Sequence, residues 1–263
     1  MRLADQYDAL LLDLDGVLFR GDETVSSGPE TLAALRADGH RLAFVTNNSA
    51  RTPEQVADKL AGHGYSARPQ EVVTSALATA DLLAERGVGE AYVVGEGGIR
   101  RALAEAGIRV LDGEPEVAAY VVVGWDREVT YAKLRTASLL VQRGARLVAT
   151  NADRSYPAPD GFWPGAGALL AVITTTTGAE AEIVGKPHAP LYLAALRRVG
   201  GERPLVIGDR LETDIAGAVA LGWDSLLVLS GATSEEMAAA SETRPTYVGP
   251  DVSALLRDLP VQE

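Results

Sequence analysis

The chain has 263 residues, 47% of them hydrophobic and 23% charged, with a formal net charge of −12. That length can carry one large or two modest domains, and the negative charge argues against a general nucleic-acid or membrane-surface binder. The absence of cysteine excludes disulfides and thiolate metal sites; with no apolar signal core in Met1–Gln6, the expected setting is the cytoplasm.

Short β-rich runs alternate with helical stretches, the pattern of a parallel α/β sheet. Asp8–Leu14 reads as a buried strand, Pro29–Ala37 as a helix with proline in its first turn, and Arg41–Thr46 as the next strand. Thr52-Pro53-Glu54-Gln55 then combines an N-cap threonine, a proline at the first helical position and a capping-box glutamine. Strand-then-helix pairs follow at Ala91–Val94 and Gly97–Ala106, and at Ala119–Val123 and Tyr131–Arg143, with a further strand at Arg146–Thr150. A second βα series runs through Pro204–Ile207, Thr213–Leu221, Ser225–Leu229 and a short strand at Thr246–Val248. The longest apolar stretches, such as Ala118–Val123 and Ala168–Ile173, are strand-sized, so no helix is expected to span a bilayer.

One internal similarity stands out. Gly39–Asn47 resembles Gly144–Asn151, and upstream Tyr7–Asp15 can be laid on Ala118–Asp126. On that alignment the middle segment is a small α/β unit built like the rest, with Gly124 where the first unit has Asp13. Convergence between unrelated βα units reads the same residues equally well.

Four pieces carry chemistry. Asp13-Leu14-Asp15-Gly16-Val17 sets two carboxylates at i and i+2 at a strand end, where their repulsion calls for a hard cation such as Mg²⁺. Thr46-Asn47-Asn48-Ser49 gathers hydroxyl, amide and backbone N–H donors suited to a phosphate dianion. Gly185-Lys186-Pro187-His188 offers a cation just before a helix, and Gly208-Asp209-Arg210-Leu211-Glu212-Thr213-Asp214 adds carboxylates at another strand end. Taken singly, these are a turn, a polar loop, a surface lysine and a helix-capping acid.

Together and in this order they resemble the four motifs of the haloacid dehalogenase superfamily. Thr74-Ser75-Ala76, Tyr92-Val93-Val94-Gly95-Glu96, Val122-Val123-Gly124-Trp125-Asp126, Ala149–Asp153 and Pro164-Gly165-Ala166-Gly167 extend the resemblance to its subclass IIA, the p-nitrophenyl-phosphatase-like branch. The resemblance implies a Rossmann-like parallel-sheet core at 1–79 and 179–263 and an inserted α/β cap at 80–178. It implies Asp13 as nucleophile and metal ligand, and Asp15 as general acid and base that lends its backbone carbonyl to Mg²⁺. Asp209 would be the remaining protein ligand. Thr46, Asn47 and Asn48 would hold the phosphoryl group and Lys186 would neutralise charge. From its place five residues past Asp209, Asp214 reads as holding a metal-bound water or orienting Lys186.

The reaction so implied is hydrolysis of a small-molecule phosphate monoester through an aspartyl-phosphate. Cap residues Asn151, Asp153, Arg154 and Tyr156 are the expected specificity set, although Tyr156–Gly161 also reads as a plain loop. The ending Arg244–Gly249 resembles that of actinobacterial glycerol-3-phosphate phosphatases, which favours a small polyol or sugar phosphate, with nucleoside monophosphates next. A phosphotransferase or mutase would use the same site, and a phosphometabolite sensor is the reading outside enzymes. Branch members often pair through the cap, so a homodimer is one expected state; neither nucleic acid nor membrane is an expected partner.

Overall fold

The computed structural model describes residues 1–158 and 160–262. In chain order its elements are β1 (Ala9–Leu12), the short β2 (Phe19–Arg20) and β3 (Glu23–Thr24), α1 (Gly28–Ala37), β4 (Arg41–Thr46), α2 (Pro53–Gly62), β5 (Val72–Thr74), α3 (Ser75–Glu85), β6 (Glu90–Val94) and α4 (Gly97–Glu105). They continue with β7 (Arg109–Leu111), β8 (Tyr120–Val123), α5 (Tyr131–Gln142), β9 (Arg146–Ala149), β10 (Ser155–Ala158), β11 (Gly161–Pro164), α6 (Ala166–Thr177) and β12 (Glu182–Ile183). The last third holds α7 (Ala189–Val199), β13 (Pro204–Gly208), a π-helical turn (Leu211–Ile215), α8 (Ala216–Leu221), β14 (Asp224–Val228), α9 (Glu235–Ala240) and β15 (Tyr247–Gly249).

Two compact units result. Met1–Thr46, Pro53–Val73 and Lys186–Glu263 form the first, Asn47–Thr52 and Thr74–Gly185 the second. Where the sequence suggests a cap at 80–178, the second unit takes in Asn47–Thr52 and Thr74–Gly185, and within it α3 packs against α4.

The first unit is built on a sheet ordered β15-β14-β13-β1-β4-β5, with parallel pairing from β15 through β4. Every residue of β1 and β13 is buried, as expected for apolar runs covered on both faces. Their side chains, among them Leu10, Leu12, Leu205 and Ile207, meet Phe44 and Leu226 in one core. Leu12 lies opposite both Phe44 and Ile207, so the three central strands end nearly level. The chain moves outward from β1 to β4 and β5, then returns on the other side through β13. A reversal of this kind opens a crevice at the strands' carboxyl ends.

A five-stranded sheet, ordered β12-β9-β8-β6-β7 and parallel throughout, forms the second unit. The internal similarity is also one of register: Ala9 faces Arg41 in the first sheet, and the aligned Tyr120 faces Arg146 in the second. The middle segment thus repeats a β-α-β layout, with Gly124 following β8 as Asp13 follows β1.

The strand-sized apolar run Ala168–Ile173 lies inside α6, whose buried Leu169, Leu170 and Ile173 follow helical spacing. The Tyr156–Gly161 run is not a plain loop. β10 and β11 pair as an antiparallel ribbon with Tyr156 opposite Trp163; Pro159 lies outside the described residues. Tyr156 stacks on Trp125 at 4.1 Å, and Trp125 Nε1 donates to Pro164 O at 2.9 Å. That long-range anchorage holds a ribbon whose prolines, Pro157 and Pro164, are tolerated because it has only two strands.

Candidate active site

Asp13 follows β1 directly, and its N–H donates to Ile207 O at 2.8 Å, so the β1–β13 ladder runs on to the residue itself. Asp209 follows β13 and Thr46 closes β4, which sets all three at the carboxyl ends of neighbouring strands. Lys186 joins them from the loop before α7. Its Nζ donates to Asp13 Oδ1 at 2.5 Å and to Asp214 Oδ1 at 2.6 Å, and both Lys186 and Asp214 are buried.

Asp214 rides on the π-helical turn, where the Ile215 N–H reaches back five residues to Arg210 O at 3.2 Å. Its Oδ2 accepts from the Arg210 N–H at 3.2 Å, so both of its oxygens are engaged. Tyr192 of α7 supports the turn by donating its hydroxyl to Thr213 O at 3.0 Å. Sequence reasoning missed Tyr192; the available signal was a tyrosine in a buried helical stripe, since a buried phenol needs an acceptor. Two glycines make the packing feasible. A Cβ on Gly208 would stand 2.1 Å from Asp214 Cβ, and one on Gly16, at φ +84°, would stand 2.2 Å from Asp209 Oδ2.

Oxygens of Asp13, Asp209 and Asp214 lie within 4.8 Å of one another. Burial pushes the Asp13 carboxyl well above the usual carboxylate range; Lys186 pulls it back, while Asp214 and Asp209 push it further up. Burial also raises Asp209, to about 6, with Asp214 adding to the rise and the Ala232 N–H opposing it. Burial disfavours a charged Lys186, yet Asp13 and Asp214 hold its pKa well above that of an ordinary lysine. Lys186 alone cannot balance three carboxylates, and raised acids are what such a deficit of positive charge produces. Asp209 Oδ2 accepts from the Ala232 N–H at 2.7 Å, whereas its Oδ1 is buried without a hydrogen-bond partner. A small divalent cation with oxygen ligands fits this donor set, since it would satisfy the orphaned oxygen and supply the missing charge.

The remaining sequence candidates fall into separate groups. Asp15 is not in the carboxylate cluster; its side chain is 70% exposed and lies 3.9 Å from Lys59 Nζ. In the second unit, Asn47 O accepts from Asn151 Nδ2 at 2.7 Å and from Ser75 Oγ at 2.6 Å, and Asn47 Nδ2 donates to the Asp153 carboxylate at 3.3 Å. Asn151 Oδ1 accepts from the Asp153 N–H at 3.0 Å, which ties these residues into one polar network. Asn48 Oδ1 accepts from the Ala50 N–H at 2.9 Å. Tyr156 is held in the ribbon by Trp125, and Arg154 is exposed.

A family model described as haloacid dehalogenase-like hydrolase matches residues 10–109, and a second, HAD-hydrolase-like model matches residues 183–255. An acid sugar phosphatase of Staphylococcus aureus is 38% identical over 257 residues, 97% of this chain and 98% of the relative. Among solved structures, a glycerol phosphate phosphatase from Mycobacterium tuberculosis in complex with magnesium superposes with a TM-score of 0.92 at 36% identity, covering 98% of this chain and 79% of the other. A p-nitrophenyl phosphatase from Archaeoglobus fulgidus gives 0.88 at 31% identity, covering 95% and 98%. The whole length of the chain, from the acidic strand ends of its first sheet through its second unit, therefore belongs to the haloacid dehalogenase-like hydrolases, in the branch of the p-nitrophenyl phosphatases.

Proposed function

We propose that this protein is a Mg²⁺-dependent phosphatase that hydrolyses small polyol or sugar phosphates, such as glycerol 3-phosphate, through an aspartyl-phosphate on Asp13. The observation that carries this reading is the Asp13–Lys186–Asp214 chain, its lysine and Asp214 buried, beside the unpartnered Asp209 Oδ1. Relatives named for acid sugar and glycerol phosphate substrates support the choice of alcohol. A cytoplasmic setting belongs to the same reading and rests on composition.

An oxygen of Asp13 attacks phosphorus in line, and the bond to the alcohol oxygen breaks. Asp15 gives its proton to the departing alkoxide. Water then attacks the phosphoryl group, passes a proton to Asp15, and releases inorganic phosphate with the Asp13 carboxylate restored. Lys186, held by Asp214, offsets the charge on Asp13 and on the phosphoryl oxygens, while Thr46, Asn47 and Asn48 donate hydrogen bonds to those oxygens. Asp13, Asp209 and the Asp15 carbonyl are the ligands assigned to Mg²⁺, which when bound supplies positive charge against the phosphoryl oxygens. Asn151, Asp153, Arg154 and Tyr156 are the residues assigned to sorting alcohols.

Inorganic phosphate released from a panel of esters, with Mg²⁺ and after chelation, tests this reading. Chelation is expected to lower turnover by about 100-fold or more, as for loss of several kcal/mol of charge stabilisation. Polyol and sugar phosphates should exceed nucleoside monophosphates in kcat/KM by roughly 10-fold or more, the discrimination a few pocket contacts supply. Turnover indifferent to chelation would contradict the metal assignment, and a preference for nucleotides would contradict the substrate assignment.

A further inference from the structure

The segment directly after Asp15 is the β2–β3 hairpin, and its Phe19 is clamped from α2. Phe19 is buried, and the His63 ring stacks on it with centroids 4.5 Å apart and planes 11° from parallel. Lys59 Nζ sits 3.8 Å from the centroid of the same ring, within cation–π range. Thr24, opposite Phe19 in the hairpin, is hydrogen-bonded through Oγ1 to His63 Nδ1 at 2.9 Å. His63 follows the last residue of α2, and its N–H still reaches back to Lys59 O at 3.2 Å, so the end of the helix reaches both strands of the hairpin.

Asp15 is tied to that clamp twice. Its backbone bridges to Phe19, and the neighbouring Gly16 N–H donates to Phe19 O at 2.7 Å. Its carboxylate, 70% exposed, lies 3.9 Å from the Lys59 ammonium. An ion pair this open contributes little to stability, and a short exposed carboxylate otherwise turns freely in water. The ammonium itself is not free to wander, because the Phe19 ring holds it and only 30% of the Lys59 side chain is exposed.

We infer that Lys59 is a positioning residue for Asp15. Fixed against the Phe19 ring, its ammonium holds the Asp15 carboxyl in the orientation from which a proton reaches the leaving alcohol. The inference rests on the reading of Asp15 as proton donor, and its consequence is a dependence on leaving group. An alkoxide must be protonated as it departs; a nitrophenolate leaves without help. Loss of Lys59 should therefore be felt with alkyl phosphates and hardly at all with p-nitrophenyl phosphate.

The test uses the full chain with saturating Mg²⁺ and compares wild type, Lys59→Met, Lys59→Arg and Asp15→Asn. The substrates are p-nitrophenyl phosphate and whichever alkyl phosphate ranks highest for the wild type. The quantity is kcat/KM, which reports only steps up to departure of the alcohol. Lys59→Met keeps the aliphatic stem against Phe19 and removes the charge. It should lower kcat/KM for the alkyl ester by about 10- to 100-fold, part of the ~10²- to 10⁴-fold a general acid supplies, and that for the aryl ester by less than about 3-fold. Lys59→Arg should recover most of the loss, and Asp15→Asn should show the same split more strongly. Equal losses on both esters in Lys59→Met, or none on the alkyl ester, with the split present in Asp15→Asn, would overturn the role of Lys59 alone. Absence of the split in Asp15→Asn would overturn the proton-donor reading and this inference with it.

Discussion

Asp13→Asn is expected to lower kcat by about 10⁴-fold or more while the protein stays folded, because it removes the carboxylate proposed to attack phosphorus and to ligate Mg²⁺. Asparagine keeps the shape of the side chain. Lys186 keeps its 2.6 Å partner in Asp214, and the backbone bond from residue 13 to Ile207 O is untouched. The substitution also removes a carboxyl that burial and two neighbouring acids push well above its usual range. Metal-free Asp13→Asn should therefore unfold at a urea midpoint equal to or above that of the wild type at neutral pH. Kinetics and denaturation on one sample separate the two effects. Near-normal turnover in protein verified free of wild type would refute Asp13 as nucleophile.

Lys186→Met should damage both chemistry and stability. It leaves Asp13, Asp209 and Asp214, whose oxygens lie within 4.8 Å of one another, without their buried cation. Removing one partner of a buried ion pair typically costs ~3–5 kcal/mol, and the metal-free variant should lose about that much at pH 7.5. The sign of the pH dependence follows from the acids that remain. A folded-state pKa raised above the unfolded value contributes stability below the unfolded pKa and loses it as pH rises through the folded one. Asp209 moves from 3.8 to about 6 with Lys186 present, and loss of the lysine can only raise it further. The stability difference from wild type should accordingly be small near pH 4 and grow through pH 6 and above. Urea unfolding of both proteins at several pH values measures it, and a loss below about 1 kcal/mol or one independent of pH would contradict the account.

Much of this site is written locally. Asp13 and Asp209 each end an unbroken apolar run, and a charged residue at the end of a buried parallel strand is readable without any knowledge of neighbours. Thr46 is legible for the same reason at the end of β4. The parallel character of both sheets follows from strand–helix alternation, and the matching register of Ala9–Arg41 and Tyr120–Arg146 was foreshadowed by the repeat in the sequence.

What escaped the sequence depends on residues distant along the chain. Tyr192 looks like a core aromatic until the π-helical turn brings Thr213 O to its hydroxyl. The β10–β11 ribbon carries loop-forming residues, and its order comes from Trp125, a residue of another element. Nothing local in the sequence singles out Lys59 or His63; only the packing of the β2–β3 hairpin against the end of α2 gives them Phe19. Two roles were open for Asp214. Its bonds to Lys186 and to the Arg210 N–H favour orienting the lysine, since neither oxygen is left over.

The stereochemical course at phosphorus tests the proposed aspartyl-phosphate on Asp13 most directly. The measurement takes a monoester made chiral with oxygen isotopes and one sulfur, hydrolysed by the wild-type protein in isotopically labelled water. Attack by Asp13 followed by attack of water makes two in-line displacements, each inverting the centre, so the product phosphate should show net retention. Net inversion would mean that water displaces the alcohol in a single step, and would contradict an aspartyl-phosphate on Asp13.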